Sequence, residues 1–346
     1  MKHIVICSDG TWNRPEKDVI KDLPTNVLRF ARSINPVTEQ GTAQQVFYDW
    51  GVGSYHDNLS GGITGKGVMK NIQDAYRYII QNYTAGDKLF LFGFSRGAYT
   101  VRSLCGLINN CGILKREHAN RVEDAFTIYR KGGTQNKPSG ETSVNFRKKY
   151  SHSSREVFFV GVWDTVGALG IPISFLGLFE DRDEFYDTKL GKNVRVARHA
   201  LAIDERREDF MPSIWDPVPG LDLKQTWFCG YHSDVGGGLK PDDNGYFASH
   251  IPMQWMANQA SQFGLELELH WTKATPSSQL PKLNPSKRHF YRLRGEHMRS
   301  IAHGKGTVSI HQSVKDRFEK DKRYAKDAEN LRDYVEKYGW PNECEK

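Results

Sequence analysis

Leu89-Phe90-Leu91-Phe92-Gly93-Phe94-Ser95-Arg96-Gly97-Ala98-Tyr99 is the stretch on which the reading of this chain turns. An apolar, strand-like run leads into Gly-x-Ser-x-Gly, and residues 97–109 continue with a helical pattern. A serine between a strand and a helix stands on a tight turn that pushes its hydroxyl into a cleft. Gly93 and Gly97 lack a Cβ, so strand and helix can close on each other around it. The helix N-terminus favours developing negative charge, and the Arg96 amide N–H is a candidate oxyanion donor. In a chain with 32 glycines the motif alone could arise by chance. Its position between strand and helix gives it mechanical meaning.

Working outward, apolar runs at residues 3–7, 45–48, 156–163 and 225–231 also end in Gly, Asp or Ser. Amphipathic stretches separate them. Met69, Ile72, Tyr76, Ile79 and Ile80 recur at helical spacing, and residues 252–263 read as a further helix. Fully apolar strands alternating with helices predict an α/β fold, a mostly parallel sheet with helices on both faces. The segment Arg198-His199-Ala200-Leu201 reads as helical, and residues 132–155, rich in Gly, Ser, Thr, Asn and Lys, as an exposed loop. Residues 170–179, apolar and broken by Pro and Gly, fit either a lid that contacts lipid or a buried core segment.

The 346 residues suit one large domain or two ordinary ones. We expect a catalytic domain at 1–315 and a charged helical C-terminal extension, 316–346, packed on it. With 38% hydrophobic and 26% charged residues, collagen-like, coiled-coil and wholly disordered classes are excluded. No run approaches the roughly 18 apolar residues of a membrane span. Met1-Lys2 leads straight into the first apolar run, without the pattern of a signal peptide. The expectation is a cytoplasmic chain as encoded, with export left to a dedicated secretion system. Five scattered cysteines, Cys7, Cys105, Cys111, Cys229 and Cys344, form no Cys-x-x-Cys pair and read as reduced thiols.

The net charge is +7, and from residue 280 onward 16 Lys and Arg stand against 10 Asp and Glu. Such asymmetry can address an anionic partner, nucleic acid or a membrane face. The signs alternate along Lys315-Asp316-Arg317 and Glu319-Lys320-Asp321-Lys322-Arg323, however, which favours a solvated helix face over nucleic-acid binding.

A serine nucleophile needs a base, and the base an orienting carboxylate. Asp164 and His232 both follow apolar runs, and catalytic groups in open α/β sheets gather at strand carboxyl ends. Ser95, Asp164 and His232 are therefore the expected triad. Secondary candidates are His199, His303 and His311 for the base and Asp234 for the acid. Asp234 lies two residues from His232, whereas a triad acid usually comes from another loop. After the first run, Asp9-Gly10-Thr11 offers a second oxyanion N–H, from Gly10 or Thr11, and equally an Asx turn in which Asp9 caps its own backbone, the two being compatible. The cluster Gly61-Gly62-Ile63-Thr64-Gly65-Lys66-Gly67 fails as a phosphate loop, because Gly67 stands where Ser or Thr is needed.

Five ordered motifs then carry a resemblance. They are Asp9-Gly10-Thr11-Trp12-Asn13, Gly93-Phe94-Ser95-Arg96-Gly97-Ala98, Gly161-Val162-Trp163-Asp164-Thr165-Val166-Gly167, His199-Ala200-Leu201-Ala202-Ile203-Asp204-Glu205-Arg206-Arg207 and His232-Ser233-Asp234-Val235-Gly236-Gly237-Gly238. Over about residues 1–315 the chain resembles the α/β-hydrolase family that contains the type VI secretion phospholipase effectors, in its Tle-like catalytic domain. The resemblance implies a Ser-Asp-His lipase or esterase acting on phospholipid esters, with the triad carried onto Ser95, Asp164 and His232. No cofactor and no metal is needed for that chemistry, although Asp9 and Asp234 leave room for a cation. The expected partners are a phospholipid or other ester substrate and a peripheral membrane contact. A soluble-ester esterase or thioesterase, and a sensing module using the basic C-terminal region, are the alternatives.

Overall fold

The computed structural model describes residues 1–10, 23–51, 65–166, 190–268, 280–286, 296–301, 308–341 and 344–345. Its strands are β1 (His3–Ser8), β2 (Gln44–Asp49), β3 (Lys88–Phe94), β4 (Val157–Trp163), β5 (Val194–Ala202), β6 (Asp222–Phe228) and β7 (Ser309–Ile310). They form one sheet in the order β2-β1-β3-β4-β5-β6-β7, and every neighbouring pair is parallel. The helices are α1 (Asn26–Ser33), α2 (Gly65–Asn82), α3 (Arg96–Cys111), α4 (Val122–Lys131), α5 (Glu141–Tyr150), α6 (His232–Gly236), α7 (His250–Ser261), α8 (Gln312–Lys320), α9 (Lys322–Asp327) and α10 (Glu329–Tyr338). This is the α/β architecture, a parallel sheet with helices on both faces, expected from the alternation of apolar runs and helices.

A parallel sheet must be covered on both faces, and the two-residue period of the strands sorts side chains between two layers. Ile4, Ile6, Leu89, Leu91, Val160 and Val162 join an aliphatic layer with α2 and α3. Val5, Cys7, Phe90, Phe92, Phe94, Phe159 and Trp163 point the other way, into an aromatic layer under α1 and α7. A third cluster, Leu201, Ile203, Trp227 and Ile310 with Val314 and Leu331, packs α8 and α10 against the β5–β7 edge.

Two expectations are corrected. The His199 segment is strand β5, not helix: local composition favours helix, but the strand hydrogen-bonds to β4 and β6 on its two sides and all but one of its residues are buried. Residues 132–155 are not an exposed loop, for they contain a short 3-10 helix, Thr134–Asn136, and α5. A single buried aromatic, Phe146, anchors α5 to α3 and α4, too sparse an apolar pattern to register as periodicity. The short strand β7 went unread because two residues carry no period. Residues 170–179 and the start of the 61–67 cluster lie outside the described residues, and α2 begins at Gly65.

The sheet order places the site. From β1 the chain goes to the edge strand β2 and returns to β3 on the other side of β1. Where winding reverses, the connections leave in opposite directions and open a crevice at the strand carboxyl ends. Ser95 follows β3 at that point, and Asp9 and Gly10 follow β1 beside it.

Candidate active site

Among the described residues, Ser95 (φ 55°) and Asp164 (φ 40°) are the non-glycine residues with positive φ. Backbone held in that region is strained and persists only where its surroundings impose it. At Ser95 the imposition is visible. A Cβ on Gly97 would lie 2.0 Å from the Ser8 carbonyl oxygen, and one on Gly93 would lie 2.5 Å from the Gly97 carbonyl oxygen. The two glycines thus let β1, β3 and α3 meet at van der Waals limits. The Ser95 N–H donates to the Trp163 carbonyl at 3.2 Å, tying the turn to the residue before Asp164. Arg96 opens α3, so its N–H belongs to the helix N-terminus.

His232 opens α6, buried, with the Phe94 ring 4.5 Å and the Phe210 ring 5.0 Å from its own. Its Nδ1 lies 2.7 Å from Asp164 Oδ2. That carboxylate is fully engaged. The Ala202 N–H donates to Oδ1 at 2.9 Å, and Arg299 donates to Oδ1 at 2.6 Å and to Oδ2 at 3.1 Å. Burial alone would push the Asp164 carboxyl up, but the Arg299 guanidinium and the His232 hydrogen bond outweigh it and hold the group well below the usual carboxylate range. An ionised carboxylate only accepts, so Nδ1 must be the protonated nitrogen and Nε2 the basic one. Burial lowers the His232 pKa from 6.5, with the Asp164 contact opposing it.

Glu205 underpins the histidine. It is buried, accepts the His232 N–H at 3.2 Å, pairs with Arg207 at 2.7 Å and accepts from Ser286 Oγ at 2.6 Å. Burial raises its carboxyl, but the Arg207 contacts prevail and lower it.

The remaining candidates fall elsewhere. His199 is buried behind Asp164; its Nε2 accepts the Thr165 N–H at 3.2 Å, and burial drives its pKa to about 3. His311 follows β7, caps α8 and stacks on Phe228 with ring centroids 4.8 Å apart; burial takes its pKa to about 4. Asp234 accepts from the Asn284 backbone N–H at 3.0 Å and its side-chain amide at 2.8 Å, whereas the imidazole Nδ1 is held by Asp164. Asp9 accepts from Thr25 at 2.6 Å, Tyr48 at 2.7 Å and Gly10 N–H at 2.7 Å. The Gly10 N–H is thus turned to the Asp9 carboxylate, whereas the N–H two residues on, which an Asx turn would use, belongs to Thr11. Thr11 and His303 lie outside the described residues. Among the described residues, no three His, Cys, Asp or Glu side chains cluster as metal ligands would.

Sequence reading missed Arg299 and the roles of Glu205 and Phe210. Glu205 sat within a motif already singled out, whereas Arg299 is one arginine in a basic run with nothing local to mark it.

Residues 2–259 match the family described as type VI secretion, phospholipase effector Tle1-like, catalytic domain. The uncharacterized protein YEL023C of Saccharomyces cerevisiae is 26% identical over an alignment of 259 positions, which covers 67% of this chain and 36% of that protein. An uncharacterized protein from Pseudomonas aeruginosa superposes on 80% of this chain with a TM-score of 0.47 and 17% identity, covering 48% of its own chain. The Tle1 effector bound to the VgrG spike of the type 6 secretion system gives 0.38 and 21% over 69% of this chain and 51% of its own. This chain thus spans about a third of its yeast relative and about half of these two solved chains.

Proposed function

This chain belongs to the Tle1-like catalytic-domain family of type VI secretion phospholipase effectors, and from that premise we propose that it is a serine hydrolase cleaving the carboxylic esters of glycerophospholipids. The observation that carries the reading is the 2.7 Å contact of His232 Nδ1 with Asp164, beside a serine on a strained Gly-x-Ser-x-Gly turn. His232 Nε2 takes the Ser95 hydroxyl proton as Oγ attacks the ester carbonyl. The Arg96 N–H, at the positive end of α3, stabilises the oxyanion. The imidazolium then gives its proton to the departing alcohol, leaving an acyl-serine. Water, deprotonated by the same nitrogen, releases the fatty acid. Asp164 holds the tautomer and stabilises the imidazolium throughout.

The test is labelling of the folded protein by a fluorophosphonate, with fatty-acid release from mixed phospholipid vesicles and cleavage of a soluble p-nitrophenyl ester measured alongside. Labelling with vesicle hydrolysis is the expected result. Labelling with cleavage of the soluble ester alone would replace the phospholipid by a small ester, and folded protein that takes no label would end the serine-hydrolase reading.

The pH dependence follows from the base. His232 acts only when neutral, and burial lowers its pKa from 6.5. We expect kcat/KM on a soluble ester to be level through neutrality and to fall on acidification, with the midpoint of the acid limb below 6.5. A midpoint above neutrality would mean that the Asp164 contact outweighs burial.

A further inference from the structure

Arg299 lies beyond residues 2–259 that match the family, yet it grips the acid of the candidate triad. It is 2% exposed. Its two terminal nitrogens donate to the two Asp164 oxygens at 2.6 and 3.1 Å, and their other hydrogens go to the carbonyls of Ala202 and Phe210. Ala202 itself donates to Asp164, and the Phe210 ring packs against the His232 imidazole. One guanidinium therefore joins the acid, the backbone that supports it and the loop that flanks the base.

We propose that Arg299 is a positioning residue: its planar fork fixes the Asp164 carboxylate toward His232 and takes up part of its charge, so that the His232 base works further into the acid range. The proposal rests on the serine-hydrolase reading. The geometry supports it in two ways. A carboxylate on a backbone at φ 40° has its rotation removed by two parallel hydrogen bonds, which a single ammonium cannot supply. A carboxylate neutralised by a guanidinium also offers less to an imidazolium, and the neutral imidazole gains relative to it. Among the described residues, the other charged groups around His232 are Glu205 and Arg207 from the loop after β5 and Asp234 on its own helix. Glu205 raises and Arg207 lowers its pKa, and these two form an ion pair with each other.

The experiment compares the full chain with Arg299→Met and Arg299→Lys. Active sites are counted by fluorophosphonate, and kcat, KM and the pH profile are read on a soluble ester. For Arg299→Met we expect KM to hold, kcat per labelled site to fall about 10²-fold, and the acid limb of kcat/KM to move up by about one pH unit. For Arg299→Lys, which keeps the charge without the fork, we expect the acid limb of the wild type with a kcat between the two. Should Arg299→Met fail to fold, the lysine variant decides: a kcat equal to wild type overturns the proposal. A lower melting temperature with unchanged kcat per labelled site and an unmoved acid limb also overturns it, since a merely structural ion pair would behave so. If wild type itself takes no label, the hydrolase reading falls and the role of Arg299 with it. Labelled wild type with unaffected variants removes the role of Arg299 alone.

Discussion

Ser95→Ala and His232→Ala are each expected to lower kcat by about 10⁶-fold, and the double variant no further, because nucleophile and base act in one step and removing either stops it. What remains, about 10³- to 10⁴-fold over water, would come from binding and the oxyanion donor, which neither substitution touches. Ser95→Ala should also lose fluorophosphonate labelling outright, whereas His232→Ala should label slowly, its hydroxyl intact but unactivated. Neither neighbouring histidine offers a substitute. The His199 Nε2 is occupied by the Thr165 N–H, and His311 is held at the start of α8 by Ser313 and Phe228. The fold should survive the loss of His232, because Arg299 still compensates the buried Asp164 charge. The kinetic loss therefore reads chemistry rather than unfolding. A His232→Ala variant within tenfold of wild type would show that another group is the base.

Gly97→Ala is expected to destabilise the protein by about 3 kcal/mol or more, with kcat per labelled site reduced about 10²-fold. Helix propensity points the other way: Gly97 lies in the first turn of α3, where alanine would ordinarily gain about 1 kcal/mol. The contact decides the sign. The new Cβ would fall 2.0 Å from the Ser8 oxygen and 2.6 Å from the Asp9 oxygen. These are backbone atoms, and β1 cannot retreat. It is paired with β2 and β3 on its two sides, and the Asp9 side chain is tethered to Thr25 and Tyr48. The start of α3 must move instead, and Ser95 with Arg96 moves with it. A urea unfolding curve and an active-site-normalised rate measure the two effects. An alanine variant with wild-type midpoint and wild-type rate would show that the turn is not pressed against β1.

Five strands of the sheet, its two covered faces and the turn at Ser95 were legible along the chain, because each is written in local terms. Strand β3 reads as an apolar run, α2 as a 3.6-residue period, and Gly-x-Ser-x-Gly as a steric requirement within five residues. The meeting of Asp164 and His232 was legible for a related reason, since strand carboxyl ends are where an α/β sheet gathers its polar groups. The assignment of His199 to β5 was not legible, because pairing with β4 and β6, remote in the chain, overrode local composition. The contacts that define the site were equally hidden. The Gly10 N–H turned inward to Asp9, Glu205 came under His232, and Arg299 came to Asp164 across 135 positions of sequence. Local patterns are set by backbone sterics and side-chain periodicity, and so can be read in order. The partner of a buried charge is chosen by folding, among groups that approach only when water is excluded, and no spacing along the chain records that choice.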